Sequence, residues 1–171
     1  MRKTAATSSA SKKPAVTQAV KESRILSPET VGFRLFKLTN IMSRPFFGRF
    51  AKQHALSLNE WRSIVVLANK PGSAAQDISA ATGLHPMNIS RAVIALRKGG
   101  LVEEARDPAN HRRVLLWLTP AGEEVFRSIA PHAEEGARQL FDILPAEDLA
   151  WLSRTLDQLI ARAEDITKDS P

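Results

Sequence analysis

The chain has 171 residues, 43% hydrophobic and 25% charged, which suits one domain of ordinary size with an extension and is apolar enough for a core. It has no cysteine, which excludes a disulfide framework, a thiolate zinc site, an iron–sulfur cluster and a cysteine redox switch; no run of about 18 uncharged apolar residues is present to span a membrane. The net charge of +6 is uneven: residues 1–28 carry six basic and one acidic side chain, and residues 119–171 carry five and eleven, so a polyanion is expected on one side of the molecule.

Residues 1–27 are rich in Ala, Ser, Thr and Lys, with almost no large apolar side chain before Ile25. They bury too little to offset the entropy of ordering and read as a disordered basic tail. The tail lacks the apolar h-region of a secretory signal, so the expected location is cytoplasmic, with no membrane partner. Ser27-Pro28-Glu29 has the capping serine, early proline and acid of a helix start. Val31, Leu35, Leu38 and Met42 then form one helical stripe, widened by Phe33, Phe36, Phe46, Phe47 and Phe50. Pro45 is expected to kink or break this helix. Apolar surface over so much of the circumference needs a second partner, such as another subunit.

Ser57-Leu58-Asn59-Glu60-Trp61 opens a second helix, with Ile64, Val65, Leu67 and Ala68 on its buried side and Pro71-Gly72 after its end. Ser73 is positioned to cap a short helix from Ala74 to Thr82, ended by Gly83. Pro86 starts the next helix, whose Ile89, Val93, Ile94 and Leu96 are expected to face inward, and Gly99-Gly100 stops it. Two short helices joined by a Gly-containing turn form a helix-turn-helix pattern. Residues 101–104 and 113–118 read as two strands around the loop 106–112, which makes a wing. Thr119-Pro120 caps a long helix that contains Pro131. In the last helix Leu149, Leu152, Leu156, Leu159, Ala163 and Ile166 recur at steps of three and four, a stripe suited to packing along another helix.

The helix from Pro86 to Lys98 holds three basic residues and no acid, and its front offers Pro86, Met87, Asn88, Ser90 and Arg91. Asn pairs with adenine and Arg with guanine in the major groove, while Ser90 and the helix N-terminus suit phosphate. The wing offers Arg106, Arg112 and Arg113, and an arginine at a hairpin tip can enter a minor groove. Asp107 is expected to hold an arginine or cap the turn, and Arg113 is equally well read as a strand residue facing solvent.

Residues 58–62, the run from Ile78 to Arg97, Gly100-Leu101-Val102, the wing segment 106–112 and Leu118-Thr119-Pro120-Ala121-Gly122 together resemble the MarR family of winged-helix regulators. The resemblance covers about residues 29–166 in one order, and its wing-to-helix signature is the specific part. It implies a mostly α fold: a winged helix-turn-helix with a small antiparallel β-hairpin wing, plus an all-helical dimerisation region from the N- and C-terminal helices. The expected organisation is a tail at 1–27, a dimerisation helix at 28–56, the DNA-binding domain at 57–118 and dimerisation helices at 119–167. The family implies a homodimer that binds a pseudo-palindromic, double-stranded DNA operator, usually as a repressor, with release by a small aromatic acid in many members. Asn110 stands where the family usually has a second wing aspartate, and Arg112 matches the wing-tip arginine. His85, Pro86 and Met87 replace the commoner polar set at the front of the recognition helix.

In similar proteins the effector sits between the dimerisation region and the winged domain, lined by the first two helices. That resemblance points to Asn40, Arg44, Phe47, His54, Trp61 and Arg62. A cation with aromatic walls suits a planar carboxylate, although Trp61 and Phe47 also read as core residues and Arg62 as an ordinary salt-bridge partner.

Other functions fit less well. His54, His85, His111 and His132 make no close metal-ligand pair, and no P-loop, G-x-S-x-G or G-x-G-x-x-G is present, so no enzyme, metal or cofactor is expected. A winged-helix protein-interaction module, or a non-specific DNA binder without effector, is the alternative. Asn88-Ile89-Ser90 matches a glycosylation sequon and reads as chance.

Overall fold

A computed structural model describes residues 27–45 and 51–168. The expected disordered tail, apart from Ser27, lies outside the described residues, as do Phe46, Phe47 and Phe50. The chain divides into two units at Gly48 and Arg49.

In the first unit a turn precedes the helix. The Thr30 N–H and hydroxyl both donate to the Ser27 carbonyl, at 3.0 and 2.7 Å. Helix α1 (Val31–Met42) therefore begins one turn later than the Ser27-Pro28-Glu29 start expected from sequence. Thr30 is its N-cap, but the hydroxyl committed to Ser27 caps no helical N–H. The helix stops at Ser43, whose N–H reaches the Thr39 carbonyl at 3.2 Å, and Pro45 has no N–H to extend the ladder. Every residue of α1 is exposed within the chain, Phe36 at 63%.

The second unit contains α2 (Ala51–His54), α3 (Leu58–Asn69), α4 (Ala75–Thr82), α5 (Pro86–Lys98), β1 (Val102–Arg106), β2 (Val114–Leu118), α6 (Pro120–Phe141) and α7 (Ala146–Lys168). Pro45, expected to kink or break the N-terminal helix, lies three residues past the end of α1. A capping box starts α3: Glu60 N–H donates to the Ser57 hydroxyl at 3.3 Å and Ser57 N–H to the Glu60 carboxylate at 3.0 Å. Its stripe buries Trp61, Ile64 and Leu67.

Ser73 does not cap α4. Gly72 N–H donates to the Leu116 carbonyl at 2.9 Å, and Leu116 N–H donates to the Ser73 carbonyl at 3.1 Å, so Ser73 bridges to β2 instead. The hydroxyl of Ser73 donates to Lys70, and the Asp77 carboxylate takes over the capping by accepting the Ala74 N–H at 2.7 Å. Gly83, at φ +66°, supplies the left-handed residue that ends α4. In α5, His85 Nδ1 accepts the Met87 N–H at 3.2 Å, and Ile89, Ala92, Val93 and Leu96 are buried. Ile94, expected inside, is 60% exposed: one step beyond Val93 turns it about 100° off the stripe.

The two strands pair antiparallel from Val102↔Leu118 to Arg106↔Val114, so Arg106 belongs to β1 rather than to the loop. Thr119 then ties the hairpin to α6. Its hydroxyl donates to the Gly100 carbonyl at 2.7 Å and accepts the Gly122 N–H at 3.1 Å. A Cβ at Gly122 would collide with the Leu101 carbonyl oxygen, which is why this close approach takes glycine. Helix α6 continues through Pro131 to Phe141.

The core of the second unit joins α3 to α6 and the hairpin. Ile64, Leu67, Ile78, Ile89, Leu96, Leu116 and Ile129 are each at most 2% exposed. Burying each such side chain contributes roughly 1.5–3 kcal/mol before the entropy of ordering is charged against it. By contrast α7 has no buried residue, and its stripe stays exposed or half-buried, with Leu159 at 48% and Ile166 at 53%.

Candidate nucleic-acid interface

The reading face is a consequence of how α5 is held. Its buried stripe turns one side to the core, and Pro86, Met87, Asn88, Ser90 and Arg91 are all exposed at its front. The Arg91 guanidinium lies 3.6 Å from the Met87 sulfur, one turn back, which lines the two side chains up along the same face. An exposed Asn and Arg on a helix that carries no acid can offer donors and acceptors to base edges.

The wing loop is built from its own polar groups. Asp107 caps it, accepting the Ala109 N–H at 2.9 Å. Asn110 accepts the Arg112 N–H through its side chain at 3.2 Å, and its carbonyl accepts the Arg113 N–H at 2.7 Å. The substitution of asparagine for the expected aspartate therefore leaves the turn an acceptor without a charge. Arg106 reaches the His111 carbonyl at 3.5 Å. Arg112 is exposed and makes no ion pair with the described residues. Arg113 is engaged elsewhere: its guanidinium pairs with the Asp77 carboxylate of α4. The Ala74 amide hydrogen bond, opposed by burial and reinforced by Arg113 and Lys70, holds the Asp77 carboxyl below the usual carboxylate range.

The residues expected to line an effector site divide between the units. Asn40 is on α1 and Arg44 follows it, both exposed in the first unit, while Phe47 lies outside the described residues. In the second unit, Trp61 is buried and stacks on Phe126 of α6, with ring centroids 6.0 Å apart. His54 Nε2 lies 3.2 Å from the Ser128 hydroxyl, which is also 2.8 Å from the Val125 carbonyl. Arg62 is half-buried and makes no ion pair with the described residues.

Two features were missed from the sequence. Asp77 is visible there as an acid in the first turn of α4, but nothing local signals a partner 36 positions away. The other is a cleft of about 310 Å³, lined by Leu67, Trp117, Leu118 and Phe126 together with Glu123 and Arg127. Trp117 and Phe126 read from sequence as ordinary strand and helix residues, and only the junction of β2 with α6 brings them together. Among the described residues no group of three or more His, Asp or Glu side chains is placed to hold a metal ion, and no helix is long and apolar enough to cross a membrane.

No family model matches the chain. It is 25% identical over 129 residues to the homoprotocatechuate degradative operon repressor of Escherichia coli, a match covering 73% of this chain and 87% of that protein. Among solved structures it is similar to a MarR/EmrR family transcriptional regulator from Acinetobacter sp. ADP1, with a TM-score of 0.70 and 23% identity over 77% of this chain and 93% of the other. It is also similar to NadR in complex with 4-hydroxyphenylacetate, with a TM-score of 0.68 and 23% identity over 77% and 92% of the two chains. At these identities the structural likenesses establish the fold, and they agree with the architecture expected from the sequence.

Proposed function

We propose that this winged helix-turn-helix chain, similar in fold to MarR-family regulators, is a sequence-specific DNA-binding transcriptional regulator, a homodimeric repressor released by a small aromatic carboxylate. The observation that carries the reading is the front of α5, where Met87, Asn88, Ser90 and Arg91 stand exposed on a helix anchored by Ile89, Ala92, Val93 and Leu96. Asn88 and Arg91 are assigned to base edges, and Ser90 and the helix start at Pro86 to phosphate. Arg112 is assigned to the minor groove, with Arg106 and Arg113 shaping the wing behind it.

The dimer rests on surface that one chain leaves open. Val31 and Phe36 of α1 and Leu159 of α7 are all about half exposed or more, and a second copy is the cover we assign to them. Two-fold symmetry then sets two recognition helices in successive major grooves, about 34 Å apart.

The aromatic carboxylate has two supports. One structural relative is described in complex with 4-hydroxyphenylacetate, and one sequence relative represses a homoprotocatechuate degradative operon. In this chain Arg62 is a half-buried cation without an ion-pair partner among the described residues, next in sequence to Trp61. We assign it the carboxylate. Such a ligand acts only through its differential affinity for the DNA-competent and released states.

Selection of bound duplexes from a random pool tests the reading. The purified chain is expected to enrich a pseudo-palindrome, and benzoate, 4-hydroxyphenylacetate or a related acid to lower its affinity for that duplex. Arg62→Ala is expected to abolish the response to the acid and to keep duplex affinity within about twofold. Enrichment of no sequence at all contradicts the reading.

A further inference from the structure

The wing is fastened to the helix-turn-helix at two levels. Near its root, Leu116 of β2 exchanges backbone hydrogen bonds with Gly72 and Ser73. Three residues closer to the tip, about 10 Å along the strand, Arg113 reaches across to Asp77. The same carboxylate oxygen, Asp77 Oδ2, also accepts the Ala74 N–H. One side chain thus starts α4 and holds the wing.

Resting on the regulator reading above, we propose that Asp77 is a positioning residue for DNA binding: by holding Arg113 it fixes the wing against the helix-turn-helix and so aims Arg112 at the nucleic acid. The local geometry fits this role. Asn110, Arg112 and Arg113 face Ala74, Ala75 and Gln76 across a cleft of about 370 Å³. The backbone at Arg112 is bracketed by Asn110, so the direction of its side chain follows the hairpin. The carboxyl is held below the usual range and is charged at neutral pH.

Electrostatics alone predicts the opposite sign. A carboxylate beside a polyanion repels it, so removing a merely solvated Asp77 raises affinity. Asp77→Asn separates the two accounts, because its amide oxygen can still accept the Ala74 N–H while the charge that holds Arg113 is gone.

The experiment uses the full chain and the duplex that wild type enriches from a random pool. Asp77→Asn, Arg113→Gln and the double variant are compared for duplex affinity, thermal unfolding and backbone hydrogen exchange of the free proteins. Asp77→Asn is expected to bind about fivefold more weakly, with faster exchange at Asp107 and Arg113 and an unfolding temperature near that of wild type. Arg113→Gln should match it, and the double variant should be no worse than either. Equal or tighter binding by Asp77→Asn with unchanged exchange overturns the proposal. So does a loss from Arg113→Gln that is undiminished in the Asp77→Asn background, because Arg113 then touches DNA by itself. A wild-type chain that enriches no duplex counts against the regulator reading instead, and the exchange rates still decide whether Asp77 holds the wing.

Discussion

Helices α5 and α7 are both amphipathic, yet they end with opposite exposures. In α5 the stripe Ile89, Ala92, Val93 and Leu96 is sealed against α3 and α4, and only the polar front is left for a ligand. In α7 a longer stripe, from Leu149 to Leu159, has no fully buried residue among the described residues, and Leu152 and Leu156 are only half-buried. A stripe whose complement lies in the same chain builds a core, and one left without a complement implies surface covered by something else. The winged lobe is therefore expected to draw its stability from its own sequence, and α7 from association.

Breaking each region should have different consequences. The largest effect is expected in the core: Ile78→Ala, at a residue with no exposure, should lower unfolding free energy by about 2–5 kcal/mol at any protein concentration, measured by urea titration. On the reading face, Arg91→Ala and Arg112→Ala should each weaken binding of the selected duplex by about 1–3 kcal/mol while leaving the unfolding midpoint unchanged. In α7, Leu159→Arg should shift the proposed dimer toward monomer by about tenfold in dissociation constant, read by sedimentation, and hardly change the unfolding of the lobe in dilute solution. An equal loss of lobe stability from Leu159→Arg and Ile78→Ala would erase the distinction between the two regions.

The smallest effect is a pH dependence. Asp77 has its carboxyl held below the usual range in the folded chain, so its contribution is fully present above the unfolded carboxyl value of about 3.9. It is lost as pH falls through the lower folded value. The side chain is 43% exposed, so solvent screens the pair and the contribution is modest. The small difference in unfolding temperature between wild type and Asp77→Asn should hold steady above about pH 5 and vanish below it.

What was legible in the sequence was periodic or local. The stripe of α3, the capping box at Ser57 and Glu60, the stop at Gly83 and the Thr119-to-Gly122 start of α6 each involve residues within a turn or two of one another, and each is present. Errors came where a local rule met a competing local one or a distant partner. Ser73 has the right identity for a cap, but its backbone is claimed by Leu116 of β2. Ser27 and Pro28 signal a helix start, yet Thr30 closes a turn on Ser27 first. Ile94 is apolar and lies one position off the stripe that the core can reach. In the candidate site, the exposure of Asn88 and Arg91 followed from the helix period. The commitment of Arg113 to Asp77 depended on how the hairpin folds back on α4, which no spacing encodes.

The most direct test of the central claim is a fluorescence anisotropy titration of the selected duplex against a scrambled one, over a range of salt and with and without an aromatic carboxylate. The account predicts a preference of about a thousandfold or more for the selected duplex that persists as salt rises, and its loss when the acid is bound. Equal affinity for both duplexes, falling together with salt, would contradict it and leave a DNA-binding protein that reads charge alone.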